Sequence, residues 1–448
     1  MKTSLIEINK KYLNNEFSLE EKAQQFLSEI KKNADKNAVI EVFDDVLINA
    51  KAVDEKRKNK TAGKLSGTFF MIEDSIMVKG RKMSHGSKVL EDFVSPFTSV
   101  AVQKLLDEDA IILGRCNVNE FSYYAKNNTS NYGKVKNAYG EDLTCNSGVG
   151  VVVKNGLCDF AIGNDVCANV RKSGALNGVS SYRPTYGLVS RVGVSSLASS
   201  FDTLSFALSN EEDAKTLIDI VKGADIKDMN SIGAKEEKKP FNKKIVYFND
   251  GNKAIQKAVD SFKKAGYEIK EVTLPNLKAL NSAYQIMLSS ECGSNLSRID
   301  GIKFGKRSDN CNDIEEVYRK TRTEFLGKPI KYLTILGNYM IFTENVCEFY
   351  SKSLDIKNQI RFYIDEILED AYALVLPLNV DTNAKLDGVK DYYKLEDSEV
   401  YAVLPEMLGL PVVSLSTINN GLSGVQLVGG KGSDDNLFNV AIDLKKSL

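Results

Sequence analysis

The regular alternation of strand-like and helix-like segments limits the possible folds of this chain more than any other feature. It is clearest between residues 244 and 274, where "KIVYFND" and "YEIKEVTL" flank a helical pattern from about Lys253 to Ala265. Gly266 follows that pattern at the position where helices commonly end in a left-handed residue. A strand, a helix and a second strand in this order predict a β-α-β unit whose two strands are parallel.

The same alternation extends over most of the chain. "GTFFMIED" is typical of a buried strand, "FTSVAVQKLLDED" of an amphipathic helix and "AIILGR" of another strand. Residues 313 to 371 have a mainly helical pattern, and "YALVLPL" and "LPVVSLS" follow as strands. This pattern predicts an α/β fold, with a large mixed, mostly parallel sheet and helices on both faces. Ser18 and Glu21 form a capping box, and helical patterns up to residue 59 predict a helical N-terminal arm over residues 1–60.

Charge and composition restrict the partners of the chain. It has 448 residues, with 59 Lys and Arg against 60 Asp and Glu, so no net field attracts the chain alone to nucleic acid. No apolar run reaches the length of a membrane span, and no secretory h-region follows Met1, so we expect a cytoplasmic protein without membrane contact. Seven cysteines without a C-x-x-C pair argue against a disulfide framework and a thiolate zinc site. With His85 as the single histidine, we expect neither a metal nor a cofactor.

Several motifs in a fixed order resemble the amidase signature family. They include "GTFFMIEDSIMVKG", "AIGNDVCANVRKSGALNGVSSYRPTYGLVSRVG" and "MLGLPVVSLSTINNG". Within that family the chain is most similar to the A subunits of the glutamyl-tRNA(Gln)/aspartyl-tRNA(Asn) amidotransferases. The resemblance implies the amidase-signature fold, with residues 61–448 as a single domain, and it is weakest over residues 205–315.

The resemblance also implies a catalytic site, and here the sequence departs from the family pattern. Family members hydrolyse an amide with a nucleophilic serine, a bridging serine and a neutral lysine. The lysine position corresponds to Glu73, the bridging serine to Cys145 and the nucleophile to Asn169. All three catalytic residues are therefore replaced, and we expect no intrinsic amidase activity.

Residues around the triad positions are altered as well. The loop that supplies the family's oxyanion hole corresponds to Asp165, Val166, Cys167 and Ala168, where two glycines have become cysteine and alanine. An arginine that binds the substrate carboxylate in the A subunits of the amidotransferases is missing from the matching stretch. Possible remnants of the substrate pocket are Lys331, Tyr332 and Glu399.

Three functions fit this pattern. The first is a scaffolding and binding role in tRNA-linked transamidation, with B- and C-type subunits as partners and tRNA contacted only through the partner. The second is an amidase with a rebuilt site, in which Cys145 is the nucleophile and His85 is its conceivable base. A carboxylate at Glu73 would disfavour the thiolate of Cys145. The third is a ligand-binding or interaction protein on the same fold.

A carboxylate at the lysine position needs hydrogen-bond donors if the site is buried. The nearest candidates implied by the resemblance are the Asn169 amide, the Cys145 thiol and the backbone N–H groups of residues 166–168. We therefore expect Glu73 to bind into that loop and to close the former nucleophile position.

Overall fold

The computed structural model describes residues 3–123, 129–139, 144–233, 243–249, 251–379, 399–416 and 423–447. Fourteen α-helices lie within these residues: α1 Leu5–Leu13, α2 Leu19–Lys32, α3 Val46–Lys58, α4 Val100–Asp107, α5 Val149–Lys154, α6 Asn169–Asn177, α7 Asp213–Val221, α8 Lys253–Lys264, α9 Leu277–Leu296, α10 Ile314–Phe325, α11 Lys328–Ile341, α12 Lys352–Asp370, α13 Val400–Leu408 and α14 Asp434–Ser447. The described strands are β1 Val39–Val42, β2 Phe69–Glu73, β3 Ile111–Cys116, β4 Val135–Lys136, β5 Thr144–Cys145, β6 Phe160–Asn164, β7 Ser180–Arg183, β8 Leu204–Leu208, β9 Lys244–Phe248, β10 Glu268–Val272, β11 Ala373–Asn379, β12 Val412–Ser416 and β13 Ser423–Val428.

Eleven strands form one mixed sheet in the order β1-β3-β2-β6-β8-β7-β12-β13-β11-β9-β10, while β4 and β5 pair separately. The predicted β-α-β unit is present, because β9 and β10 are parallel neighbours joined through α8. The expected α/β fold with a large mixed sheet is therefore confirmed.

The expectation that most strands would be parallel is wrong. Among the described residues, six of the ten neighbouring pairs in this sheet are antiparallel and four are parallel. Parallel neighbours need a long crossover, usually a helix. The described chain between β7 and β8 contains no helix, and only a short segment separates β12 from β13, so both pairs are antiparallel.

Helices cover both faces of the sheet, which creates two hydrophobic layers. Successive side chains of a strand point to opposite faces. In β11, Val375 packs into the layer that contains α2, α5, α8 and α14, while Leu374 and Leu376 pack into the layer with α9, α11, α12 and α13.

The first 60 residues contain the expected helices α2 and α3, together with helix α1 and a strand that no individual sequence pattern indicated. Strand β1 pairs antiparallel with β3 and forms one edge of the large sheet. Leu5 and Tyr12 of α1 are buried in the same hydrophobic layer as β2 and β3. The division into an arm and a domain at residue 60 stays a prediction.

Among the described residues, no helix combines the length and the apolar character needed to cross a membrane.

Candidate functional site

The ends of two neighbouring parallel strands bring the triad positions together. Phe70 of β2 pairs with Phe160 of β6, so Glu73 at the end of β2 lies beside the end of β6. The chain then turns through residues 165–168, and α6 begins at Asn169. Gly163 allows this approach, since a Cβ atom there would lie 2.9 Å from Oε2 of Glu73.

The Glu73 carboxylate is fully buried and accepts five hydrogen bonds. Burial raises its pKa, while the hydroxyl donors act in the opposite direction and stabilise the ionised form. The donors to Oε1 are the hydroxyls of Ser75 and Ser122, each at 2.8 Å, and the backbone N–H of Asn164 at 3.3 Å. The donors to Oε2 are the Ser147 hydroxyl and the Asn169 amide, each at 2.7 Å.

Asn169, at the position that the resemblance assigns to the nucleophile, approaches Glu73 from the first turn of α6. Its Nδ2 donates to Glu73 and also to the backbone oxygen of Asn164 at 3.2 Å. Both partners only accept hydrogen bonds, so the amide nitrogen must face the carboxylate. The expected contact between Glu73 and Asn169 is therefore present. Neither of its two side chains carries a nucleophilic hydroxyl or thiol.

Cys145 is also buried, but its thiol forms its hydrogen bonds with Ser147 and Ser173 and not with Glu73. Its Sγ lies 3.1 Å from the backbone oxygen of Ser147 and 3.3 Å from the Ser173 hydroxyl. Burial raises the pKa of this thiol, which disfavours the reactive thiolate. The expectation that the thiol donates to Glu73 is wrong, because Ser147 lies between the two residues and occupies the carboxylate oxygen.

The considered pairing of His85 with Cys145 is not formed. His85 is buried, with Nδ1 3.0 Å from the Ser195 hydroxyl and Nε2 2.8 Å from the Ser122 hydroxyl. Both ring nitrogens therefore contact serines.

The loop of residues 165–168, which the resemblance assigns to the oxyanion hole, binds a carboxylate that no sequence motif indicated. The backbone N–H groups of Cys167 and Ala168 donate to Glu406 of α13, at 3.0 and 2.9 Å, and Tyr284 donates its hydroxyl proton at 2.8 Å. Cys167 and Ala168 have φ angles of 56° and 58°, which points their successive N–H groups at one acceptor. Glu73 was expected to accept from the backbone N–H groups of residues 166–168, but its backbone donor is Asn164, at the end of the neighbouring strand.

Two buried arginines, Arg171 and Arg183, bind the first residue of the loop. Asp165 accepts from Nε of Arg171 at 2.6 Å and from Arg183 at 3.3 Å. Burial raises the pKa of Glu406 to about 7, against the opposing effect of Arg183 and Arg171. Val166, which lies between Asp165 and Cys167 in the chain, is fully buried. The loop is thus a packed element of the interior whose two inward N–H groups already have an acceptor.

None of the three pocket residues inferred from the resemblance is among the five hydrogen-bond donors to Glu73. Lys331 and Tyr332 lie on α11, where the ammonium of Lys331 donates to the backbone oxygen of Thr323 at 3.0 Å. Glu399 is buried and forms an ion pair of 3.2 Å with the equally buried Lys172. A role of these residues in substrate binding stays a prediction.

The described residues contain no group of three or more His, Cys, Asp and Glu side chains that could hold a metal ion. Ser122, Ser147 and Glu406 are the main site residues that sequence reasoning missed. Ser147 lies two residues after Cys145, so its position offered a signal. The other two are brought to the site only by tertiary structure.

Known proteins resemble this chain over almost its whole length. Residues 21–438 match the family model described as Amidase. The A subunit of the glutamyl-tRNA(Gln) amidotransferase from Ruthia magnifica subsp. Calyptogena magnifica is 30% identical over 465 aligned positions, which cover 98% of this chain and 96% of that protein. The protein of the same name from Fusobacterium nucleatum is 30% identical over 99% of this chain and 96% of its own length.

Solved structures agree on the fold. The A subunit of the glutamyl-tRNA(Gln) amidotransferase from Thermotoga maritima superimposes with a TM-score of 0.76 at 22% identity, covering 99% of this chain and 94% of that one. The peptide amidase of Stenotrophomonas maltophilia superimposes with a TM-score of 0.83 at 21% identity, covering 99% and 96%. The family match over residues 21–438, supported by relatives that align along nearly the entire chain, shows that this protein belongs to the amidase signature family.

Proposed function

We propose that this chain is a scaffolding and binding component in tRNA-linked transamidation, without amidase activity at the family's catalytic position. The observation that carries the proposal is the bond of 2.7 Å between Asn169 and Glu73. An amide and a carboxylate at the two positions that the resemblance assigns to the nucleophile and the lysine support a site without the family's hydroxyl and amine. Neither group supplies the nucleophile or the proton relay of such a site.

Two neighbouring features support the same conclusion. The thiol of Cys145 is buried and has a raised pKa, so it is a poor substitute nucleophile. The N–H groups of Cys167 and Ala168 already bind Glu406, so they are not open to a developing oxyanion.

The partners in this proposal are B- and C-type amidotransferase subunits. Similarity over 98% of the chain to a relative named as the A subunit of such an enzyme supports them. With 59 basic and 60 acidic residues the chain has no excess of positive charge, so tRNA would be contacted through the partner and not by this chain alone. We place the protein in the cytoplasm, where tRNA-linked transamidation requires it.

Reconstitution tests the proposal. The chain is co-expressed with the B- and C-type subunits of its host, and the mixture is separated by size-exclusion chromatography. We expect a stable complex that releases no ammonia from glutamine or asparagine above the background of the partners. Failure to form a complex with these subunits contradicts the scaffolding role.

A variant separates inactivity from the rebuilt-site alternative. Cys145→Ala should leave the ammonia background unchanged, because Cys145 has no catalytic role in this proposal. Steady ammonia release that disappears in Cys145→Ala would establish an amidase that uses the cysteine.

A further inference from the structure

A continuous series of hydrogen bonds leads from buried Glu73 to the edge of a cavity. Ser122 donates to Oε1 of Glu73 at 2.8 Å, and Nε2 of His85 lies 2.8 Å from the same Ser122 hydroxyl. Nδ1 of His85 then lies 3.0 Å from the hydroxyl of Ser195. These bonds play no part in the proposed scaffolding function.

The direction of each bond follows from the groups involved. A carboxylate only accepts, so the Ser122 proton points to Glu73, and the Ser122 oxygen accepts from His85 Nε2–H. Burial lowers the pKa of His85 to about 3, which keeps the ring neutral. With its one proton on Nε2, the ring accepts the Ser195 proton at Nδ1.

Ser195 is half-buried and lines a cavity of about 240 Å³. The wall is mostly apolar, formed by Met77, Met83, Leu90, Phe93 and Phe121. Phe121 also packs edge-on against the ring of His85, with centroids 5.2 Å apart, and so helps to fix the imidazole. Among the described residues that line this cavity, Arg298 is the only cation, and Asn295 adds a side-chain amide.

We propose that Ser195 is an acyl-accepting nucleophile, activated through His85 and Ser122 by Glu73, and that its substrates are esters or thioesters with a short apolar acyl group. The apolar wall fits the acyl chain. The guanidinium of Arg298 donates to the backbone and side-chain oxygens of Asn295, at 2.9 and 3.0 Å, so these two residues form the polar part of the wall.

The reaction balances along this series of bonds. Oγ of Ser195 bonds to the carbonyl carbon, and the carbonyl electron pair moves to its oxygen. The Ser195 proton passes to Nδ1 of His85, the Nε2 proton to Ser122, and the Ser122 proton to Glu73. The bond to the leaving alcohol or thiol then breaks, and the leaving group takes the proton back along the same path. Water cleaves the acyl-serine in the same two stages, which yields a carboxylic acid and restores the Ser195 hydroxyl.

Glu73 is the base in this scheme, and His85 stays neutral throughout. A neutral, buried imidazole is a weak base by itself, but it can accept one proton while it releases another. Burial raises the pKa of Glu73, which makes its carboxylate a better proton acceptor than an exposed one. Ser122 donates to Oε1 of Glu73, whereas Asn169 and Ser147 donate to Oε2. The proton relay from Ser195 and the contact with Asn169 therefore use different oxygens of one carboxylate.

A fluorophosphonate probe tests the proposal, because it labels serines that are activated in this way. The full-length protein is incubated with the probe, and the labelled residue is identified by peptide mass spectrometry. We expect labelling at Ser195, its loss in Ser195→Ala, and hydrolysis of p-nitrophenyl butyrate that follows the same pattern. No labelling of the folded protein, or labelling of a different serine, would overturn the proposal.

Two further variants separate activation from mere exposure. Ser122→Ala interrupts the relay but keeps Glu73, and it should slow labelling by about 100-fold or more. Ser282→Ala is the control, since Ser282 is exposed on α9 and its hydroxyl donates to the backbone oxygen of Lys278, away from this cavity, and it should leave the rate unchanged. Thermal melting confirms that each variant is folded. An unchanged rate in folded Ser122→Ala would show that the relay does not activate Ser195.

Discussion

The side-chain amide of Asn169 donates to the carboxylate of Glu73 across 2.7 Å, and both residues are fully buried. The bond gives the amide nitrogen of Asn169 an acceptor and Oε2 of Glu73 a donor at a place that solvent does not reach. A buried carboxylate without donors costs several kcal/mol, so a change at one of the two positions affects the other. The pair therefore has a structural role, whatever chemistry the cluster also supports.

Replacing Glu73 should destabilise the protein. In Glu73→Lys an ammonium would face five donors, and we expect a loss of about 3–5 kcal/mol in the free energy of unfolding. Urea unfolding measures the loss. Glu55→Lys on the exposed face of α3 is the control, with an expected change within about 0.5 kcal/mol.

Introducing the family's catalytic residue types at the three assigned positions should not produce amide hydrolysis. In the triple variant Glu73→Lys, Cys145→Ser, Asn169→Ser, the N–H groups of Cys167 and Ala168 still bind Glu406. We therefore expect no ammonia release from glutamine. Measurable turnover in this variant would mean that the loop rearranges freely, contrary to its buried and hydrogen-bonded geometry.

Cysteine reactivity provides a separate test of the buried site. Cys347 is exposed and should react rapidly with a disulfide reagent, whereas Cys145 is buried, has a raised pKa and should react only on unfolding. Mass spectrometry after timed labelling of the native protein distinguishes the two thiols. Rapid modification of Cys145 in the folded protein would favour the rebuilt-site alternative.

Local patterns predicted the parts of the fold that depend on local periodicity. The unit β9-α8-β10 was recognisable because its strands, helix and closing glycine follow each other within about 30 residues, as such units do. Ser18 caps α2 through the backbone N–H of Glu21, as the capping box indicates. The strand β1 was missed because its four residues become a strand only by pairing with β3.

The candidate site was predictable only in part, because some of its residues meet only through tertiary contacts. The contact between Glu73 and Asn169 was expected from the resemblance to the amidase signature family, and the structure contains it. The role of Glu406 does not, because 238 residues separate it from Ala168 and its own helix carries no catalytic pattern. The ion pair of Glu399 with Lys172 likewise joins residues 227 positions apart in the chain, which only tertiary structure brings together.

Stability should depend on pH through Glu406. Its pKa is raised from 4.5 to about 7 in the folded protein, so the folded state binds a proton that the unfolded chain has lost. The stabilisation from this bound proton is complete below the unfolded-state pKa of 4.5. It declines as the pH rises towards about 7, by about 3 kcal/mol in total. Urea unfolding between pH 5 and 8 should show a shallower decline in Glu406→Gln than in the wild type. Parallel pH profiles of the two proteins would contradict this role of Glu406.

The loop that binds Glu406 should tolerate glycine where a helix does not. Ala168 has a φ of 58°, a region that costs a residue with a Cβ about 1–2 kcal/mol and glycine nothing. Ala168→Gly loses a buried methyl group but relieves this cost, so we expect almost no change in the free energy of unfolding. Ala175 is the matched control, because it is buried in the same small cluster but lies within α6. Ala175→Gly should cost about 2 kcal/mol, from the lost methyl group and the weaker helix propensity of glycine. Equal losses in the two variants, measured by urea unfolding, would show that the left-handed conformation at Ala168 carries no strain.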